Sequence, residues 1–346
     1  MKRKMSLAFV AGLLVAMVFT SCSKLREDFD FNFADENGTD TDFPFGFEDD
    51  LELWKERVAP MVEGCTTNYE KALAIYEWEC ANIAYDLNYS IYHAAECWEQ
   101  KKGVCQAYSE MFVKLALGCG LEARLVSGKC KNGFSPDGEG GHAWVKVNTE
   151  KGWILIDATW GAGTVSYEFH FNDHDHVMAW FDVDPAIMIF THFPSKQEHQ
   201  LLSNPLTESQ YKSIPVLRPD VSFVGFDGLQ VLNYFLSHPE GSLPGYPRYC
   251  LPLKDRIKLI EVPMGSNLKV GGTYTFKIKC IDTNLAIASS DYNFGWEEWE
   301  KEGDCYTRVL QPTSEMIQWN SWFQIVVHPV GEEENRKELL TYNTVE

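Results

Sequence analysis

Three short stretches constrain this chain more than any other feature: Gly103-Val104-Cys105-Gln106-Ala107-Tyr108, Gly141-His142-Ala143-Trp144 and Leu155-Ile156-Asp157-Ala158-Thr159-Trp160. They carry one cysteine, one histidine and one aspartate, in settings that suit an attacking thiol, its base and the group that orients the base. A fold that uses all three must bring them together. Cys105 opens a segment whose apolar residues Tyr108, Met111, Phe112 and Leu115 keep helical spacing until Gly118 and Gly120 end it. A sulfur at a helix N-terminus meets unpaired N–H groups and the positive end of the helix dipole, which favour the thiolate. The same N–H groups could receive the oxyanion of a tetrahedral intermediate. Gly103 is expected to let the chain turn sharply into this helix.

The histidine and aspartate lie on two β-like runs. If residues 148–151 form a four-residue hairpin loop, Val147 faces Gly152 and His142 falls directly opposite Asp157, within reach of a hydrogen bond. Alternation then puts His142, Trp144 and Lys146 on the face of Trp153, Leu155 and Asp157. Ala143, Val145, Ile154 and Ile156 form the other, apolar face, which packs inward or against a helix. A surface His–Asp pair in a hairpin is the bland alternative, and Cys105 weighs against it.

Around this centre the spacing predicts a helix over residues 49–62 on Leu51, Trp54, Val58 and Met61. A second runs from a Thr67 cap to Tyr85 with Tyr69, Leu73, Tyr76 and Cys80 along one face, and a third covers residues 91–100. Strands are expected over 123–129, 142–147 and 153–159. The Gly/Pro/Asp-rich loop 132–141 could border a cleft. Beyond residue 220, β-rich runs such as Tyr274-Thr275-Phe276-Lys277-Ile278 and Phe323-Gln324-Ile325-Val326-Val327 predict an all-β domain of sandwich type.

Residues 1–22 read as an export signal, with Lys2, Arg3 and Lys4 before an apolar run from Leu7 to Phe19 that is short for a membrane span. Phe19-Thr20-Ser21-Cys22 resembles the lipobox of bacterial lipoproteins, with Phe19 where leucine is usual. On this reading Cys22 is lipidated and tethers the chain to a membrane of the cell envelope, outer membrane or periplasmic face, while an ordinary cleaved signal is the alternative. Residues 23–47, acidic and broken by glycine and proline, form a flexible tether. The formal net charge of −20 repels phosphate backbones and argues against nucleic acid as a partner. Ten cysteines in an exported chain raise the question of disulfides, but their spacing fixes no pairing.

Gly-Val-Cys-Gln-Ala-Tyr at 103–108, Gly-His-Ala-Trp at 141–144 and Ile-Asp-Ala-Thr-Trp at 156–160 resemble the core motifs of the transglutaminase-like cysteine protease superfamily. The helix beginning Lys71-Ala72-Leu73-Ala74-Ile75-Tyr76-Glu77-Trp78 is similar to the one before its nucleophile. Asp157 to Gly163, Asp184-Pro185, Thr191-His192-Phe193-Pro194 and Gln200-Leu201-Leu202 resemble its kyphoscoliosis peptidase branch. The resemblance covers residues 65–219 best. It implies an α+β fold of papain-like arrangement, the cysteine helix packed on a small antiparallel sheet, with Cys105, His142 and Asp157 as catalytic residues. The expected organisation is signal (1–22), tether (23–47), transglutaminase-like catalytic domain (48–219) and β-rich domain (220–346).

The resemblance implies a thiol enzyme that acts on amide bonds of proteins or peptides through a thioester, with no cofactor. Hydrolysis is preferred to transfer onto an amine, because a wet cell surface offers more water than amine. A surface binding or scaffold protein that keeps the fold without turnover is the alternative. His170, His174 and His176, with Asp173 and Asp175, could hold a divalent ion, but a polar loop is the preferred reading and no metal is assigned. Gln100 is a candidate oxyanion donor, though a solvated glutamine at a helix end is preferred. Trp144 and Trp160 could wall the cleft or belong to the core.

Overall fold

Helix α1 (Leu51–Val58) is shorter than its spacing predicts. Pro60 lacks the N–H that the next helical hydrogen bond needs. Helix α2 (Asn68–Asn82) opens with a capping box: the Thr67 hydroxyl accepts from the Glu70 N–H, and the Glu70 carboxylate accepts from the Thr67 N–H. Its buried stripe is Ala72, Ile75, Tyr76, Glu79 and Cys80, with Tyr69 and Leu73 only half-buried at the margin. It stops before Tyr85 because Ala84–Tyr85 (β1) pairs in parallel with Lys102–Gly103 (β2). Helix α3 (Ala94–Gln100) starts after residue 91 because the Ile91 carbonyl is taken by the Val104 N–H.

The computed structural model describes residues 50–131, 139–163, 178–247, 253–291, 295–318 and 322–346. Residues 1–22 with Cys22, the tether over 23–47 and the cluster of His170, Asp173, His174, Asp175 and His176 lie outside them. So does most of the loop expected over 132–141. Among the described residues no helix is long and apolar enough to cross a membrane. The chain divides into two units, at Lys212/Ser213, ahead of the boundary expected at 219.

In the first unit, helix α4 (Cys105–Gly118) buries Tyr108, Met111, Phe112 and Leu115 as their spacing predicts. It packs on an antiparallel five-stranded sheet ordered β6-β5-β4-β3-β7. The strands are β3 (Glu122–Lys131), β4 (Glu139–Thr149), β5 (Gly152–Ile156), β6 (Phe181–Val183) and β7 (His192–Pro194). The expected arrangement of cysteine helix on small sheet is therefore present.

The hairpin register differs from the expected one. Thr149 faces Gly152 and Val145 faces Ile156, so the loop is the two residues Glu150-Lys151. Asn148 and Thr149 pair as strand residues instead of turning. The shift is by two positions, which leaves every side chain on its expected face. The strand expected to reach Thr159 ends at Ile156, where Asp157 caps the helical turn α5 (Ala158–Gly161).

Among the described residues, the second unit contains a four-stranded and a five-stranded sheet. Their central members are β10 (Tyr274–Cys280), β15 (Trp322–Pro329) and β16 (Lys337–Val345). With β8 (Ile257–Glu261), β9 (Asn267–Lys269), β11 (Leu285–Asp291), β12 (Glu297–Glu298), β13 (Lys301–Glu302) and β14 (Cys305–Leu310), their orders are β13-β14-β10-β8 and β12-β11-β15-β16-β9. Phe276 from the first sheet packs on Phe323 and Tyr342 from the second, ring centroids 5.2 and 5.4 Å apart, which gives a sandwich core. The unit is not all-β. Asp227 caps a helix, Gly228–Ser237, that buries Val231, Leu232 and Phe235.

Gly103 is required for a different reason from the one its position suggested. Its φ is not positive. A Cβ there would lie 2.7 Å from the Ala107 Cβ and 2.9 Å from the Cys97 sulfur, so the residue is small to let α3 and α4 touch. Gly103→Ala is expected to lower stability by about 1–3 kcal/mol, the usual cost of overpacking. Chemical denaturation measures it, and an unchanged midpoint would show that α3 yields freely.

Candidate active site

Each candidate residue sits at the end or edge of a regular element. Cys105 is the first residue of α4, whose preceding residue, Val104, supplies no side-chain cap. The N–H groups of that first turn therefore remain available to an anion. The approach is fixed on both sides: Asp86 N–H donates to the Gly103 carbonyl and Val104 N–H to the Ile91 carbonyl. The buried Asp86 carboxylate in turn accepts from Asn88, Ser90 and Ile91.

His142 projects from β4, and Asp157 follows β5 as the cap of α5. The His142 Nε2 donates to Asp157 Oδ2 at 2.8 Å, and both side chains are at most 1 % exposed. Asp157 Oδ1 accepts from the Trp160 N–H at 3.0 Å, so the carboxylate orients the histidine and ends its own strand at once. His142 Nδ1, on the other side of the ring, is buried. Cys105 acts on this ring, as one of the groups that raise its pKa. The thiol thus lies near enough to the imidazole to act on it by hydrogen bond and by charge, as an acid–base pair requires.

A second histidine, with no role legible in the sequence, completes the cluster. His192 Nε2 lies 3.0 Å from the same Asp157 Oδ2, and its Nδ1 lies 2.8 Å from Thr191 Oγ1. Nothing local in Thr191-His192-Phe193-Pro194 points to Asp157, 35 residues away. Trp144 and Trp160 pack against both histidine rings, and Trp180 packs against Trp160 and His192. Trp144 is core, while Trp160 is half-buried beside the cluster. Gln100 is exposed and donates to Glu96 on its own helix, as a solvated glutamine would.

Burial works against every charge here, so the partners decide. Burial tends to lower the His142 pKa, but the Asp157 charge and hydrogen bond, helped by Cys105, raise it well above the ordinary range. Burial tends to raise the Asp157 pKa, yet the two histidines hold it well below the carboxylate range. Burial lowers His192 to about 4 despite its hydrogen bond to Asp157, with the His142 charge adding to the effect. The ring centroids of His142 and His192 are 5.2 Å apart. Two unit charges at about that distance repel by about 3 kcal/mol at an effective dielectric of about 20. One imidazolium, one carboxylate and one neutral imidazole is the arrangement that satisfies all three.

Among the described residues, His142, Asp157 and His192 are also close enough to share a cation, their nearest donor atoms lying within 4.8 Å. At 2.8 and 3.0 Å from Oδ2, however, both Nε2 atoms are at hydrogen-bond distance and direct their protons at the carboxylate. A nitrogen donating its proton has no lone pair for a metal. The eight described cysteines, Cys105 included, are free thiols.

The pair makes stability depend on pH. The contribution of Asp157, whose folded pKa is depressed, is fully present above about pH 4 and is lost as pH falls through the folded value. That of His142, whose folded pKa is raised, is fully present below about pH 6.5 and is lost as pH rises through the folded value. His192 opposes them, since its depressed pKa costs stability below about pH 6.5. Asp157→Asn is therefore expected to lower Tm most between about pH 4 and 6.5, and less on either side. A deficit that does not vary with pH would show that the two groups are not an ion pair.

The family model described as the transglutaminase-like superfamily matches residues 55–158. Kyphoscoliosis peptidase of Homo sapiens is 29% identical over 172 residues, covering 46% of this chain and 26% of that protein. Hillarin of Drosophila melanogaster is 23% identical over 199 residues, covering 49% of this chain and 23% of that protein. The chain thus spans about a quarter of the length of these relatives. A solved structure described as a TGase is 19% identical with a TM-score of 0.26, covering 44% of this chain and 39% of that chain. Residues 55–158, which include the cysteine helix and three strands of the antiparallel sheet, thus form a domain similar to the transglutaminase-like superfamily.

Proposed function

We propose that this protein is an exported, lipid-anchored thiol enzyme that hydrolyses amide bonds of proteins or peptides. The observation that carries the reading is the buried, charged His142–Asp157 pair set beside a cysteine at an uncapped helix N-terminus. In the proposed reaction the Cys105 thiolate attacks the amide carbonyl, and the oxyanion is received by N–H groups of the first turn of α4. The C–N bond then breaks as the His142 imidazolium gives its proton to the departing amine, leaving a thioester. Water, deprotonated by the now neutral His142, attacks the thioester and releases the acid and the thiol. Attack by a second amine would make the same centre a transferase. Hydrolysis is preferred because a cell surface offers more water than amine. Anchoring rests on the lipobox-like Phe19-Thr20-Ser21-Cys22.

A scaffold without turnover is the second reading, and the burial of Cys105, 1 % exposed, is the observation that favours it. Iodoacetamide at graded pH, followed by peptide mapping, separates the two. Activation predicts selective labelling of Cys105 at about pH 6.5, well below the range where free thiols react, and its loss in His142→Ala. Labelling of Cys105 no faster than that of a free thiol would support the scaffold. Under the enzymatic reading Cys105→Ala abolishes release of amine from peptide amides, and His142→Ala lowers it by about a hundredfold or more.

A further inference from the structure

Strand β3 runs between the two histidine-bearing strands. His142 on β4 pairs with Gly128 on one side, and His192 on β7 pairs with Cys130 on the other. Paired residues share a face and so do residues two apart, which puts both imidazoles on one face of the sheet with Gly128 between them. Gly128 has no side chain because the β7 backbone and the Trp144 ring close over it. A Cβ there would lie 2.8 Å from the Trp144 ring and 2.2 Å from the Phe193 carbonyl oxygen. The rings meet on one carboxylate oxygen, Asp157 Oδ2.

We infer that His192 is a positioning residue: a neutral imidazole whose Nε2–H, fixed by Thr191, holds Asp157 ionised and aimed at His142. This role rests on the proposed activity only where activity is the readout. Thr191 supplies the means. Its hydroxyl has one proton and two acceptors, His192 Nδ1 at 2.8 Å and the Met188 carbonyl at 3.3 Å. Donation over the shorter distance makes Nδ1 an acceptor and leaves the ring's proton on Nε2, facing Asp157. The backbone keeps Thr191 in place: Lys131 N–H and the Tyr211 hydroxyl both donate to its carbonyl. The charged groups bearing on His192 are Asp157 and His142, while Trp144, Trp160 and Trp180 cover the rest of the ring.

The test combines two readouts on the full chain. Imidazole nitrogen NMR of the wild type is expected to show His192 neutral and in the Nε2–H form from about pH 5 to 8. Thr191→Val should admit the other tautomer. Titration of wild-type His192 near about pH 6.5, or an Nδ1–H form, would overturn the inference. The second readout is the pH profile of Cys105 alkylation. His192→Leu is expected to slow the reaction at about pH 6.5 by roughly tenfold to a hundredfold, the scale of one hydrogen bond to a charged group. His192→Gln, which keeps an N–H donor, should stay within about threefold of the wild type. If wild-type Cys105 is activated and His192→Leu leaves its profile unchanged, positioning fails while the activity stands. If wild-type Cys105 reacts as a free thiol but His192 shows the neutral Nε2–H signature, the activity fails and positioning stands.

Discussion

A carboxylate with no exposure to water is the constraint that organises the first unit. Asp157 could not stay ionised there on burial alone, and it does so because three donors reach it: two imidazole nitrogens and the Trp160 N–H. Each donor belongs to a different element. β4 brings His142, β7 brings His192, and α5 exists as a helical turn because Asp157 caps it. Removing either imidazole takes one of two donors from Asp157 Oδ2 where no water replaces it, which makes the buried charge costlier to keep.

The packing around this centre follows the same logic. Helix α2 braces the Asp157 turn, with the Cys80 thiol 3.6 Å from the Ala158 carbonyl oxygen. Helix α4 is held to α2 and the loop behind it by the Tyr108 hydroxyl, which donates to the Ile83 carbonyl. The tryptophans Trp144, Trp160 and Trp180 exclude water from the imidazoles, which strengthens the ion pair at a given distance. The helix that carries the sulfur and the sheet that carries His142 are thus positioned by one shared core.

How far the site was legible in the sequence depends on how local the signal was. Cys105 could be read because a glycine, a cysteine and a helical apolar stripe lie within a few residues of one another. The pairing of His142 with Asp157 survived an incorrect hairpin, because Asn148 and Thr149 look like turn residues but pair as strand, and a two-residue slip preserves faces. The end of β5 was missed although Asp157 carries an N-cap signal, because the apolar run continues past it. The stripe of α2 was misplaced for a different reason: Glu79 counts as polar in any periodicity, yet it is fully buried, and burial pushes its carboxyl well above the usual range. The helix Gly228–Ser237 went unread among β-rich runs. His192 had no local signal, since its partner is reached only through the order of strands in the sheet.

Sharing one carboxylate oxygen between two histidines also bears on the chemistry. A carboxylate that served His142 alone would concentrate its basicity on that ring and could draw the proton away from it in a dry site. A second N–H on the same oxygen lowers that basicity and keeps the Nε2 proton on His142, so that the ring stays an imidazolium whose Nδ1 proton is the one a leaving amine would take in the proposed reaction. The neutral state of His192 is what makes this possible, since a second imidazolium would compete with His142 for the same negative charge. The orientation of the His142 ring and the location of its Nε2 proton are therefore set by the same atom, Asp157 Oδ2. Burial, which opposes each charge taken singly, makes their combination specific.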